Sequence, residues 1–341
     1  MSPAAIIGFG LSIPSKKITV EEIASNWQQD PESIKSGLGV QAKTVPDAGE
    51  DTFTLSFEAG KQAIETSKLK SSQISAVYVG SESHPYAVKP TSGMVAAALE
   101  CDPFCHSADL EFACKAGTAA MQIVDSMIRS KQIGYGLAIG ADCAQSKPGD
   151  ALEYTAAAGA AAFVMGPASD KNALCQIDRT ISFTTDTPDF WRANGKDHPE
   201  HAGRFTGEPA YLHHVREATK AIFEVGKITP DDIDHVIFHM PNAKFPRRIA
   251  KELGFSKEQL EHGFIVPTIG NTYSACSPLG LAHVLQQAKK DDRILLVSYG
   301  SGAGSDAFLM TMLRDGVKLK PDTRETSYIN YSQYQSLVAT H

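Results

Sequence analysis

No C-x-x-C pair occurs among the six cysteines (101, 105, 114, 143, 175 and 276) of this 341-residue chain. That excludes a zinc ribbon and a disulfide-stapled scaffold, and it fits free thiols in a reducing, cytoplasmic compartment. Long apolar runs are missing as well. The longest, Ala156 to Gly166, is mostly alanine and falls well short of the ~18 residues that a membrane span needs. There is no Lys/Arg block either. The 32 basic and 39 acidic side chains leave a net charge of −7, which gives no footprint for nucleic acid or an anionic membrane. The opening Met1-Ser2-Pro3-Ala4-Ala5-Ile6-Ile7-Gly8 lacks a basic n-region and reads as a first strand, not a signal peptide. No Walker A motif is present, and Gly8-Phe-Gly10-Leu-Ser-Ile13 lacks the third glycine and the following helix of a dinucleotide site. His198, Glu200, His201, His213 and His214 lack H-E-x-x-H spacing, so they read as a solvated polar loop and no metal site is expected.

What is present is ordinary globular composition, 42% apolar and 21% charged, enough for a full core. At roughly 150 residues per domain, the length suggests two domains or one large α/β unit. Short β-rich runs alternate with longer helical patterns. Strands are predicted at 5–10, 76–80, 108–112, 135–140, 160–165, 177–184, 235–239, 264–267, 293–299 and 307–313. Helices are predicted at 52–67, 92–99, 117–129, 211–225, 246–253 and 279–289. Such alternation predicts an α/β protein with largely parallel sheets. Each half also carries a strand running into a polar loop, Val77-Tyr-Val-Gly80-Ser-Glu82 and Val236-Ile-Phe-His239, which predicts a duplicated fold.

Four polar residues fall where predicted strands end, the edge at which α/β sheets gather ligands. Cys114, in Phe112-Ala-Cys114-Lys-Ala-Gly117, precedes an amphipathic helix, and the positive end of that helix is expected to favour the thiolate. His239 ends an apolar strand, Asn271 opens a turn before a small-residue helix, and Glu82 follows the apolar run ending at Gly80. By spacing alone Cys114 reads equally as a buried structural cysteine, His239 as a core residue, Asn271 as a helix cap and Glu82 as solvated loop. Together they suggest acyl-thioester chemistry. A thiolate takes the acyl group, His and Asn stabilise an oxyanion, and a carboxylate removes the proton alpha to the carbonyl.

Phe112-Ala-Cys114-Lys-Ala-Gly117, Phe238-His239-Met-Pro-Asn242 and Gly270-Asn271-Thr-Tyr273-Ser274 resemble the condensing enzymes of the thiolase superfamily. Gly80-Ser-Glu-Ser-His-Pro-Tyr-Ala-Val-Lys-Pro90, Gly149-Asp-Ala-Leu-Glu-Tyr-Thr155, Phe183-Thr-Thr-Asp-Thr-Pro-Asp-Phe-Trp191 and Gly203-Arg-Phe-Thr-Gly-Glu-Pro-Ala-Tyr211 resemble the archaeal-type hydroxymethylglutaryl-CoA synthases. The similarity runs from the N-terminus to about Leu313. The resemblance implies a thiolase-like five-layer αβαβα fold of two duplicated halves, 1–166 with Glu82 and Cys114 and 167–313 with His239 and Asn271, followed by a tail, 314–341. It implies catalytic Cys114, Glu82 and His239, joining acetyl-CoA to acetoacetyl-CoA in the mevalonate route.

By the same matching, Asp30, Pro31, Thr155, Arg204, Thr206, Asn271 and Ser301 would line the substrate site, and Lys244 and Arg248 would meet CoA phosphates. Ala243 and Ala275 stand where relatives often have glycine, and with Cys276 and Pro278 near the acyl pocket their bulk would narrow or reshape it. No cofactor beyond the CoA thioester substrates is implied. The implied partners are a second copy of the chain, an acetoacetyl-CoA thiolase and a zinc-ribbon OB-fold protein. Two other readings use the same residues: a ketoacyl synthase type III-like acyltransferase, and a non-catalytic scaffold of an acyltransferase complex.

Overall fold

The computed structural model describes residues 3–302, 304–320 and 323–338, with the Arg204 side chain outside that set. The first strand, Ala4–Ser12, lies along the helix Thr52–Ser67. Asp51 starts that helix by accepting the Thr54 N–H at 2.8 Å, and Lys68 ends it in the left-handed conformation. Gly8 and Gly10 serve this contact. A Cβ on Gly8 would lie 2.4 Å from Ser67 N, and one on Gly10 would lie 2.3 Å from Ala59 O. The glycines that start like a dinucleotide fingerprint are therefore a packing device.

Nine strands form one sheet in the order His235–Phe238, Arg293–Val297, Gly304–Met312, Cys175–Thr184, Ala4–Ser12, Ala158–Pro167, Tyr135–Cys143, Ile74–Gly80 and His106–Leu110. Outward from its middle the pairing runs antiparallel, antiparallel, parallel on each side. That repeat is the duplication. The two sides meet at Ala5 with Gln176 and Ile6 with Cys175. Most strand pairs are antiparallel, so the sheet is mixed and not largely parallel. The strand Tyr135–Cys143 returns through a loop to pair with Ala158–Pro167, and no crossover helix intervenes.

The helices Ala116–Arg129 and Cys276–Val284 lie between the two sides of the sheet. Met121, Val124, Leu279 and Leu285 share a buried core there with Phe163 and Phe308. Thr52–Ser67 and Thr91–Ala98 cover one outer face, and His213–Gly226 and Lys244–Leu253 the other. The result is the five-layer αβαβα fold. Residues 264–267 do not form the expected strand. Val266–Ile269 is a helical turn with Pro267 in its first turn, a position that suits proline. The helix expected from Tyr211 begins at His213, after a π-helical segment, Thr206–Leu212. Among the described residues no helix is long and apolar enough to cross a membrane.

The tail packs on the chain itself. Ser327–Tyr328 pairs with the strand Lys16–Thr19, and the helix Tyr331–Val338 docks beside the turn Ala151–Tyr154. Fully buried Glu153 joins them. It accepts from Trp27 Nε1 at 2.9 Å, Gly149 N at 2.8 Å and Tyr331 O–H at 2.8 Å. Buried Lys43 donates to Tyr334 O–H at 2.9 Å, and burial lowers its pKa to about 7. Glu153→Gln replaces charged acceptors with one neutral acceptor and is expected to cost about 1–3 kcal/mol. Denaturant titration checks the loss, and hydrogen exchange should rise first in residues 331–338. An unchanged midpoint would mean that Glu153 does not hold the tail.

Candidate active site

Beyond the strand His106–Leu110 the chain turns sharply. Ala113 takes φ +45°, a left-handed value rare outside glycine, and Ala116 N–H donates to Ala113 O at 3.1 Å. This turn sets Cys114 at the start of the helix Ala116–Arg129. Lys115 anchors it from behind. Its Nζ lies 2.9 Å and 3.1 Å from the two Asp306 oxygens and 3.8 Å above the Phe112 ring. Thr118 and Ser182 also donate to Asp306, each at 2.8 Å. The Cys114 turn of one half is thus pinned to a strand of the other.

Glu82 follows the strand Ile74–Gly80 and is placed by Asp142, at the end of Tyr135–Cys143. Asp142 Oδ1 accepts from Ser81 Oγ at 2.7 Å, Glu82 N at 2.8 Å and Ser83 Oγ at 2.6 Å. Its Oδ2 accepts from Ser274 N at 2.7 Å. One buried carboxylate therefore fixes both the Glu82 loop and the turn after Asn271. Asn271 donates its N–H to Thr155 O at 2.7 Å, and its Oδ1 accepts from Tyr273 N at 3.1 Å. Tyr273, like Ala113, has φ +45°. His239 donates its N–H to Val297 O at 3.0 Å, and Tyr211 O–H donates to His239 O at 2.7 Å.

Cys114, Thr155, Thr206, His239, Asn271 and Ser301 line one cavity of about 230 Å³. His201 is on its wall too, paired with Asp150 at 2.9 Å. The histidine-rich stretch is therefore only partly solvated loop. His213 and His214 lie on a helix, and His214 is buried. Glu82 lies in a neighbouring cavity of about 220 Å³.

Other expected residues fall elsewhere. Asp30 accepts from Glu32 N at 3.1 Å and Ser33 N at 3.3 Å, capping Pro31–Leu38. Asp30 and Pro31 are off the cavity wall, which Leu38 reaches from the other end of that helix. Lys244 is exposed at the start of Lys244–Leu253, and Arg248 is ion-paired with Glu208. Arg204 lies in the turn Gly203–Phe205, and its side chain lies outside the described residues. Ala243, Ala275 and Cys276 are buried behind the wall.

The electrostatics reverse one expectation. Burial, then the adjacent Glu82 and Asp142 carboxylates, hold the Cys114 thiol well above its ordinary pKa. The helix dipole does not produce a resting thiolate against them. Burial, then Asp142, raises Glu82 to about 8. Burial lowers His239 to about 3, so its imidazole is neutral and can offer a hydrogen bond to a ligand but not a charge. Glu82 is a base only when ionised. Condensation should therefore rise about tenfold per pH unit below about 8 and level off above it. A profile of rate against pH with saturating substrates checks this. A flat profile through neutrality would remove Glu82 from the rate-limiting proton transfer.

A family model described as 3-oxoacyl-[acyl-carrier-protein (ACP)] synthase III C terminal matches residues 223–312. The hydroxymethylglutaryl-CoA synthase of Methanocaldococcus jannaschii is 54% identical over 325 residues, covering 95% of this chain and 93% of its own. That of Archaeoglobus fulgidus is 51% identical over 336 residues, covering 96% of each. A solved hydroxymethylglutaryl-CoA synthase complexed with CoA superposes with a TM-score of 0.87 at 22% identity, over 98% of this chain and 90% of that one. The last likeness speaks for the fold. Half-identity along nearly the whole length goes further, and the chain belongs to the hydroxymethylglutaryl-CoA synthase family.

Proposed function

We propose that this chain condenses acetyl-CoA with acetoacetyl-CoA through an acetyl group on Cys114, giving 3-hydroxy-3-methylglutaryl-CoA and CoA. The observation that carries the reading is Cys114, His239 and Asn271 on one cavity with the Glu82 carboxylate beside the Cys114 thiol. Cys114 loses its proton as it attacks the acetyl thioester, and CoA leaves with that proton. Glu82 then takes a proton from the acetyl methyl, and the resulting carbanion equivalent adds to the ketone carbon of acetoacetyl-CoA. The alkoxide recovers the proton from Glu82. Neutral His239 and the Asn271 amide orient the carbonyls and stabilise the developing oxygen charge. Water finally cleaves the thioester to Cys114.

No metal or prosthetic group is needed, because the thioester itself acidifies the proton that Glu82 removes. Thr155, Thr206 and Ser301 complete the acyl pocket, and Lys244 lies free to meet a CoA phosphate. Arg248 would first have to leave Glu208. We place the division of the halves at 166 and 313, a reading that the repeated strand order supports. The open edge at His106–Leu110, just after exposed Phe104, supports a pairing of two copies there. A complex with an acetoacetyl-CoA thiolase and a zinc-ribbon OB-fold protein, in the cytoplasm, would pass on a product whose formation is unfavourable. The test is product identification by mass from acetyl-CoA and acetoacetyl-CoA, together with peptide mapping of the acetyl group after exposure to acetyl-CoA alone. Hydroxymethylglutaryl-CoA and an acetylated Cys114 peptide are expected. Loss of acetoacetyl-CoA to any other product would overturn the reading.

A further inference from the structure

Two cavities meet at the reacting centre, and the catalytic groups are divided between them. Cys114 and His239 face the first, and Glu82 faces the second. Phe190, Tyr273 and Ser301 border both. The Phe190 and Tyr273 rings stand edge to face at 88°, with centroids 6.1 Å apart, and form the partition. The second cavity has a polar lining that includes Ser83, Glu111 and Arg192. Arg192 Nη2 donates to Glu82 O at 3.1 Å, so the strand Phe190–Trp191 is tied to the loop that carries the base. Glu82 Oε1 is buried with no protein partner, and a buried carboxylate oxygen of that kind calls for a small polar ligand.

Resting on the condensation reading, we infer that this second cavity is the route by which water and protons reach Glu82 and the acyl group on Cys114, separate from the route of the CoA thioesters. The chemistry requires such a division. After condensation the acyl group is still a thioester of Cys114 at one end and of CoA at the other. CoA then fills the way it entered just when water is needed. Water arriving behind Phe190 and Tyr273 adds to the Cys114 thioester carbonyl while Glu82 takes its proton. The carbon–sulfur bond breaks, and the sulfur takes the proton back as the Cys114 thiol. The sum is thioester plus water to carboxylic acid plus thiol.

The test separates loading from hydrolysis. Glu111, exposed and on the second cavity only, is replaced by tryptophan to fill the route and by alanine as the charge control. Trp191→Ala widens the route. Acetyl-CoA alone is supplied, and three rates are read: acetylation of Cys114, hydrolysis of acetyl-Cys114, and exchange of the acetyl methyl hydrogens with deuterium oxide. Glu111→Trp is expected to keep loading within about twofold and to slow hydrolysis and exchange by at least about tenfold. Glu111→Ala should match the parent, and Trp191→Ala should speed hydrolysis. Equal loss of loading and hydrolysis in Glu111→Trp, or hydrolysis unmoved in folded Glu111→Trp and Trp191→Ala alike, overturns the route. Absence of any acetyl-Cys114 in the parent would instead overturn the condensation reading on which it rests.

Discussion

Cys114→Ala is expected to abolish condensation and acetyl-CoA hydrolysis together, lowering turnover by at least about 10⁴-fold. No other thiol can substitute. Cys143, Cys175 and Cys276 are buried and absent from the cavity wall, and Cys276 Sγ already accepts the Met240 N–H at 3.3 Å. Alanine fits the same turn, because Phe112, Ala113 and Lys115 are held by backbone bonds and by Asp306. The stability cost should stay near about 1 kcal/mol, and lost turnover will then report chemistry rather than folding. Acetyl label on a different cysteine in this variant, with turnover retained, would displace Cys114 as the nucleophile.

Glu82→Gln carries the second large effect. Condensation and methyl-hydrogen exchange should fall by about 10²–10⁴-fold, the range for a positioned general base. Loading of Cys114 should survive. The Glu82 charge is one of the causes that hold the thiol pKa up, so its removal lowers that pKa. Cys114 should therefore alkylate faster with iodoacetamide in Glu82→Gln than in the parent above about pH 8, where Glu82 is ionised in the parent. A merely structural role for Glu82 would move all these rates together. Slower alkylation alongside full condensation activity would refute both the coupling and the base.

The strand-end residues were legible because each closes an apolar run: Gly80 before Glu82, Phe238 before His239. The helix Thr52–Ser67 was legible to the residue, with its acidic cap and full amphipathic period. What sequence could not carry depends on distant partners. Asp142 gathers Ser81 and Ser274, 132 positions from the latter, and Lys115 meets Asp306 191 positions on. The signal in reach for Asp142 was a carboxylate closing the apolar strand Tyr135–Cys143, the same mark that singled out Glu82. Tyr211 and the Phe190–Tyr273 partition carry no such mark. The Cys114 ionisation is out of reach of sequence for the same reason: a helix start is local, but the opposing carboxylates are tertiary. His201 reads as loop in sequence because its partner, Asp150, lies 51 positions earlier.

The union of the two sheet halves at Ala5 and Ile6 bears on how the chain comes off the ribosome. The first strand made has its partners at Ala158–Pro167 and Cys175–Thr184. At about 5–20 residues per second it waits on the order of 10–30 seconds unpaired. Glu153 waits again for Tyr331, 178 positions later. The five N-terminal strands can pair among themselves once Pro167 is made, but the core face of the helix Ala116–Arg129 stays uncovered until Cys276–Val284 follows, so the nascent chain needs shelter through the second half.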